Sequence, residues 1–265
     1  MASEKFVDIA DVSLHFSGPQ GTLAVEHLDM SVAAGELAAV VGPSGCGKSS
    51  LMKLVAGLVP PTRGTIEVGG VAVKGPLKVV GMAFQNPTLL PWRSTMENLM
   101  LPLQIVRPYR TRFKADRPQH EANARRLLER VGLGGFEDRF PWQLSGGMQQ
   151  RASLCRALIH KPSLLMLDEP FGALDAFTRE DLWDVLQAMW MAEKFTTILV
   201  THDLHEAVYL ADTVHVMSAR PGKIVSTYRV DLPRPRNPET PFLAEFTDLV
   251  HTLREQIRKE RAAAL

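Results

Sequence analysis

Cysteine is almost absent from this chain: among 265 residues only Cys46 and Cys155 carry a thiol. Two such distant thiols make neither a disulfide framework nor a metal-ligand spacing, and their rarity fits a reducing compartment. Excess charge is lacking too. The formal net charge is +1, which removes overall charge as a driver of nonspecific DNA binding. No apolar run approaches the ~18 residues of a membrane span, and the opening stretch MASEKFVDIA has no apolar signal core. Any membrane role is therefore expected to come through a partner. Internal repeats are missing, and so are the long heptad patterns of a coiled coil. What remains is ordinary for a globular protein: 45% hydrophobic and 22% charged residues, in a length that suits one large domain or one domain with an insertion.

Periodicity divides the chain into three stretches. FVDIADVSLHF and LAVEHLDMSV read as strands separated by a break at Gly18-Pro19. ELAAVVG is a nearly continuous apolar run, as a strand buried on both faces requires. Leu51, Leu54, Val55 and Leu58 then recur at helical spacing, and Pro60 and Pro61 are expected to stop that helix. GTIEVGG and KVVGMAF read as further strands. From about Leu99 to Phe140 the chain is more basic and holds Pro102, Pro108 and Pro118. Its pattern predicts a helix over about Gln119 to Val131, with Leu127, Leu128 and Val131 on the apolar side, inside an inserted helical subdomain over about residues 88–160. The cations Arg107, Arg110, Arg112, Lys114 and Arg117 are read as a solvated face. In the last stretch LLMLD, TTILVTH, TVHVM and KIVSTYRV are strands, alternating with helices that include DLHEAVYLAD. Such alternation predicts a parallel sheet sandwiched by helices. Trp183 and Trp190 are assigned to packing. Domain boundaries are expected at 1–230, with a linker at DLPRPRNPETP and a polar helix from about Phe242 to Arg261 filling 231–265.

Between the buried strand and the following helix lies VGPSGCGKSS, which satisfies G-x-x-x-x-G-K-[ST] through Gly42, Gly47, Lys48 and Ser49. Pro43, Ser44, Gly45, Cys46 and Ser50 complete the stretch. Successive backbone N–H groups can turn inward around an anion only where the chain visits conformations that glycine tolerates. The helix that follows adds its unpaired N–H groups and positive dipole end. Lys48 is placed to reach the β- and γ-phosphates, and Ser49 to offer an oxygen to Mg²⁺. Average composition would yield this pattern in roughly one chain in a hundred. Cys46 is read as a small filler within the loop. LLMLDEP supplies a second element: Asp168 is expected in the Mg²⁺ shell, which leaves Glu169 to act on the attacking water as general base.

LSGGMQQR (Leu144 to Arg151), FQNP (Phe84 to Pro87), ALD (Ala173 to Asp175) and THD (Thr201 to Asp203) narrow the class. In this order and spacing the chain resembles the ATP-binding cassette ATPases of transporters from about Phe6 to Val230. That resemblance implies a phosphate-loop nucleoside-triphosphatase of α/β class, with a parallel-sheet core, an N-terminal antiparallel β-subdomain and an inserted α-helical subdomain. It implies ATP and Mg²⁺ as ligands. Gln85 would sense the Mg²⁺ and water and link to the membrane partner, and His202 would contact the γ-phosphate. Ser145, Gly146 and Gly147 would face the nucleotide of a second subunit in a head-to-tail dimer, with Asp175 crossing the interface. Phe16 would stack on adenine. Ser50 stands where threonine is usual and Asn86 where an acidic residue is common; neither change removes a phosphate contact.

TLLPWRSTMENLMLPL, Thr88 to Leu103, follows Gln85. In the family this segment receives a coupling helix of the membrane subunit, and Pro91 and Trp92 suit a rigid, amphipathic anchor. The LLPW run is similar to importers of the nitrate, sulfonate, taurine and bicarbonate group, which also includes thiamine-precursor and aromatic-acid systems. The implied protein is a peripheral ATPase on the cytoplasmic face of the inner membrane. It would work as a homodimer or beside a second such ATPase, with permease subunits and, indirectly, a solute-binding protein, and without nucleic acid. DNA-repair relatives would show an inserted coiled coil and translation factors two cassettes; neither pattern is present in this sequence.

Overall fold

A computed structural model describes residues 5–16, 21–172 and 174–263. The break expected at Gly18-Pro19, and Ala173, lie outside the described residues. In chain order the elements are β1 (Lys5–Phe16), β2 (Thr22–Ala33), β3 (Leu37–Val41), α1 (Lys48–Val55), β4 (Arg63–Val68), β5 (Val71–Ala72), β6 (Val80–Phe84), α2 (Thr95–Ile105), α3 (Tyr109–Arg112), α4 (Arg117–Arg130), α5 (Gly146–Leu158), β7 (Leu164–Asp168), α6 (Ala176–Glu193), β8 (Thr196–Val200), α7 (Leu204–Leu210), β9 (Thr213–Met217), β10 (Ile224–Arg229) and α8 (Ala244–Ala262). Two compact units share them. One comprises Met1–Leu77 and Ala192–Leu265, the other Lys78–Met191.

In the first unit β1 pairs antiparallel with β2 and with β4, which carries the short β5. A second sheet runs β10-β9-β3-β8. Here β3 is parallel to both β8 and β9, and β10 closes the edge antiparallel. All five β3 residues are buried, which is why its sequence is apolar without alternation. The helix read from Leu51 to Leu58 ends sooner than expected. Gly57, at φ +72°, closes α1, and a Cβ there would lie 2.0 Å from the Gly75 carbonyl oxygen. Leu58 is exposed beyond the helix, so glycine rather than Pro60 and Pro61 supplies the stop. The C-terminal helix is also less polar in effect than its composition suggests: Phe246, Val250 and Leu253, at i, i+4 and i+7, are buried.

Within the expected linker, Arg236 is buried. Its guanidinium donates to the carbonyls of Val208 and Tyr209 (both 2.9 Å) and Ala211 (2.7 Å). These carbonyls belong to the end of α7, so one cation satisfies acceptors that the helix geometry leaves over. Burial pulls its pKa down to about 10, which keeps it charged at neutral pH. Arg236→Ala is expected to destabilise the fold by about 3 kcal/mol, since each buried unsatisfied carbonyl costs on the order of 1–3 kcal/mol. Calorimetry should show a Tm lower by roughly 5–10 °C; an unchanged Tm would mean that the segment after β10 is dispensable.

In the second unit β6 and β7 are parallel, from Val80 opposite Leu164 to Phe84 opposite Asp168. A Cβ on Gly81 would lie 2.2 Å from the Ala157 carbonyl oxygen, so glycine lets α5 lie directly on β6. The predicted helix over Gln119 to Val131 is α4, and Trp183 and Trp190 are buried in α6 as expected. α2 was hidden by Pro102 in its interior. A proline there costs about 3 kcal/mol. A capping box between Ser94 and Glu97, with burial of Met96, Leu99, Met100 and Leu103, offsets that cost.

Candidate functional site

In the first unit the phosphate-loop candidates leave the C-terminal end of β3, where Val40 pairs with Val200 of β8. His202 lies two residues past Val200 and Gly42 two past Val40, so both emerge from the same edge of adjacent parallel strands. That edge is where open α/β sheets hold ligands. Gly45 and Gly47 adopt φ of +76° and +109°. A Cβ on Gly47 would lie 2.7 Å from the Ala24 carbonyl oxygen of β2, and one on Gly42 would lie 2.8 Å from that of Met217. At Gly45 the same atom would meet nothing within 4 Å, so the glycine leaves room on the open side of the turn. Gly47 caps α1, whose first N–H groups have no acceptor within the helix.

Lys48 is buried, and its ammonium donates to the Gly42 carbonyl at 2.9 Å and the Pro43 carbonyl at 3.0 Å. The loop thus satisfies its own cation, and an anionic ligand must compete with two carbonyls. Cys46 is buried with Sγ 3.8 Å from that ammonium. Burial pushes its thiol pKa up, in keeping with a filler rather than a reactive thiolate. No local pattern marks the loop's buttress. Arg220 donates to the Gly45 carbonyl at 3.2 Å, and a Cβ on Gly222 would lie 2.1 Å from the Cys46 carbonyl oxygen. Pro221-Gly222 reads only as a hairpin turn. Phe16, at the end of β1, is 41% exposed and pairs with Thr22, two residues before Ala24.

The second unit assembles the other candidates by the same device. Phe84 ends β6 opposite Asp168 at the end of β7, so Gln85 and Glu169 leave adjacent parallel strands at one edge. Glu169 has φ +48°, in the left-handed region that a non-glycine residue enters at a cost of order 1–3 kcal/mol. Thr88 lies there as well, at φ +47°. It is held by Arg156 of α5, which donates to the Thr88 carbonyl (2.8 Å), its Oγ1 (2.9 Å) and the Pro87 carbonyl (2.7 Å). Gln150 of the same helix donates to the Phe84 carbonyl at 2.9 Å. The segment after Gln85 is therefore tied to the helix that begins in the LSGG stretch. Asn98, fully buried in α2, accepts from Leu90 N–H at 2.7 Å and donates to the carbonyls of Leu90, Arg93 and Ser94. Trp92 sits 70% exposed on the loop so fastened. Only a polar residue amid apolar helix positions marks Asn98 in the sequence.

Ser145 caps α5, its Oγ accepting from Met148 N–H at 3.3 Å. A Cβ on Gly147 would meet Thr178 Cγ2 at 3.0 Å, whereas one on Gly146 would meet nothing within 4 Å. Asp175 caps α6 by accepting from Thr178 N–H at 3.0 Å and Oγ1 at 2.7 Å, bonds that hold its carboxyl below the usual range.

Parallel strands that end in a glycine-built phosphate cradle on one unit, and in paired carboxylates on the other, define a phosphate-loop nucleoside-triphosphatase cassette. A family model described as ABC transporter matches residues 25–172, more than half of the chain. The chain is 42% identical over 239 residues to the aliphatic sulfonates import ATP-binding protein SsuB of Bacillus licheniformis, covering 90% of this chain and 87% of that one. It is 44% identical over 206 residues to the taurine import ATP-binding protein TauB of Yersinia pestis, covering 78% of each. Among solved structures, a dimeric post-hydrolysis state of the ATP-binding cassette MJ0796 bound to ADP and Pi superposes with a TM-score of 0.72 at 25% identity, over 86% of this chain and all of that one. The chain belongs to the ABC transporter family.

Proposed function

We propose that this chain is the ATP-hydrolysing subunit of an importer for a small organic sulfonate such as taurine, working through separate membrane subunits. The observation that carries the reading is a glycine-built loop, Gly42 to Ser50, leading into α1, within a chain similar along most of its length to two import ATP-binding proteins. No helix among the described residues is long and apolar enough to cross a membrane; the likeness to import ATP-binding proteins supports a peripheral subunit on the cytoplasmic face. The domain plan is a cassette over 1–230, with a helical subdomain at about 88–160 and a C-terminal appendage.

Lys48 would leave its two loop carbonyls for the β- and γ-phosphates, and the N–H groups of the loop and of α1 would hold the remaining charge. Phe16, exposed near the loop, would stack on the adenine. Ser49, Gln85 and Asp168 are the oxygen donors that would hold Mg²⁺, all hard ligands suited to it. When bound, that ion would neutralise charge on the phosphate oxygens. Glu169 would accept a proton from the attacking water and His202 would orient the γ-phosphate. Ser145, Gly146 and Gly147 would complete the pocket of a second copy, with Asp175 at the shared boundary. Gly146 supports this. Among the described residues nothing lies within 4 Å of a Cβ placed there, so the close approach that excludes a side chain would come from outside. Closure of two copies around ATP would move the Gln85–Leu103 segments and drive the permeases.

Trp92→Ala tests the permease contact. With most of the side chain exposed, its Tm should stay within a degree or two of the wild type. Affinity for the co-expressed permease should fall roughly thirtyfold, as for a central interface aromatic, while basal ATPase in solution persists. Undiminished permease-stimulated turnover would remove Trp92 from the interface.

A further inference from the structure

The cations between α2 and α4 have no part in that reading. Arg107, Arg110, Arg112, Lys114 and Arg117 are all exposed. The segment is pinned from beneath. Tyr109 and Phe113 flank the buried His120 of α4, with ring centroids 6.0 and 5.8 Å away. Thr111 Oγ1 donates to the Pro108 carbonyl at 2.7 Å, closing the turn. Neutralisation is incomplete. Arg112 pairs with Asp116 at 3.3 Å and Arg117 with Glu121 at 2.9 Å. Among the described residues Arg107, Arg110 and Lys114 make no ion pair. The carbonyl end of α2 accounts for at most Arg107, which lies two residues beyond it. Ile105, the last residue of α2 and two before Arg107, is 62% exposed.

We propose that residues 105–117 form a lipid-binding segment in which Arg107, Arg110 and Lys114 hold anionic phospholipid headgroups and Ile105 enters the headgroup boundary. The proposal rests on the reading of the chain as a peripheral membrane subunit. Cations spread along an exposed turn suit a plane of negative headgroups, and an aliphatic side chain among them adds the apolar contact that a soluble anion would not use. A groove of about 480 Å³ in this unit is lined by none of the three; its four carboxylates, Glu97, Glu121, Glu137 and Asp138, outnumber its two cations, Arg117 and Arg125, which does not favour an acidic partner.

Sedimentation of the full chain with phosphatidylcholine vesicles, with and without phosphatidylglycerol, tests this. The wild type should partition onto the anionic vesicles alone, less so as salt rises. The triple variant R107A/R110A/K114A should lose roughly a hundredfold in partition, about fivefold for each cation near the surface, with its solution ATPase unchanged. Equal binding to pure phosphatidylcholine, or undiminished binding by the triple variant, would overturn the proposal. So would a triple variant that loses affinity for detergent-purified permease free of anionic lipid, since the cations would then serve a protein. None of these results touches the ATPase reading, which stands or falls on turnover by the wild type.

Discussion

Glu169→Gln should cut ATP turnover roughly a thousandfold, the loss expected when a general base is removed from its water, while nucleotide binding survives. The amide matches the carboxylate in shape and can follow the same backbone turn, which Gly172 N–H closes onto the Glu169 carbonyl at 3.3 Å. It cannot accept a proton from water at neutral pH. Strain at this residue, φ +48°, supports a functional cause, because a glycine or asparagine would relieve it. ATP held without hydrolysis should also keep two copies together, so the variant should accumulate as a nucleotide-loaded dimer. Wild-type turnover in the variant would remove Glu169 as the base.

Lys48→Ala should lower turnover at least a hundredfold, as when a positioned donor to developing charge is lost, and should weaken ATP binding as well. The two variants therefore separate binding from chemistry: Glu169→Gln retains nucleotide, Lys48→Ala releases it. The hydrogen bonds of the Lys48 ammonium stay within its own loop, at the Gly42 and Pro43 carbonyls and the Cys46 sulfur. Its truncation should leave the circular dichroism spectrum and the melting cooperativity intact. Full activity in this variant would refute the phosphate assignment. Activity lost together with a cooperative melt would assign Lys48 to folding instead.

Most strands were legible because each combines apolar pattern with turn residues at its ends; β3 stands where a nearly continuous apolar run predicted a buried strand, and β7 and β8 stand where LLMLD and TTILVTH read as strands. The phosphate loop was legible because its chemistry demands glycine and lysine at fixed spacing. α2 was not, since proline propensity is local whereas the burial of Leu99 and Leu103 that outweighs it is tertiary. Arg236 was unreadable for a related reason: its acceptors lie 25 to 28 residues earlier, at the end of α7. The grips of Arg156 and Gln150 on the segment around Thr88 span 66 to 69 residues and have no local signature. Local motifs thus name the candidate site residues, and long-range hydrogen bonds, invisible in sequence, hold the loops that carry them.

The claim on which the proposed mechanism turns is that two copies share each triphosphate. Light scattering on Glu169→Gln with ATP and Mg²⁺ measures it directly. The expected species has twice the 29.3 kDa chain mass, and it should revert to single chains when the nucleotide is removed. Single chains with every site filled by ATP would contradict it.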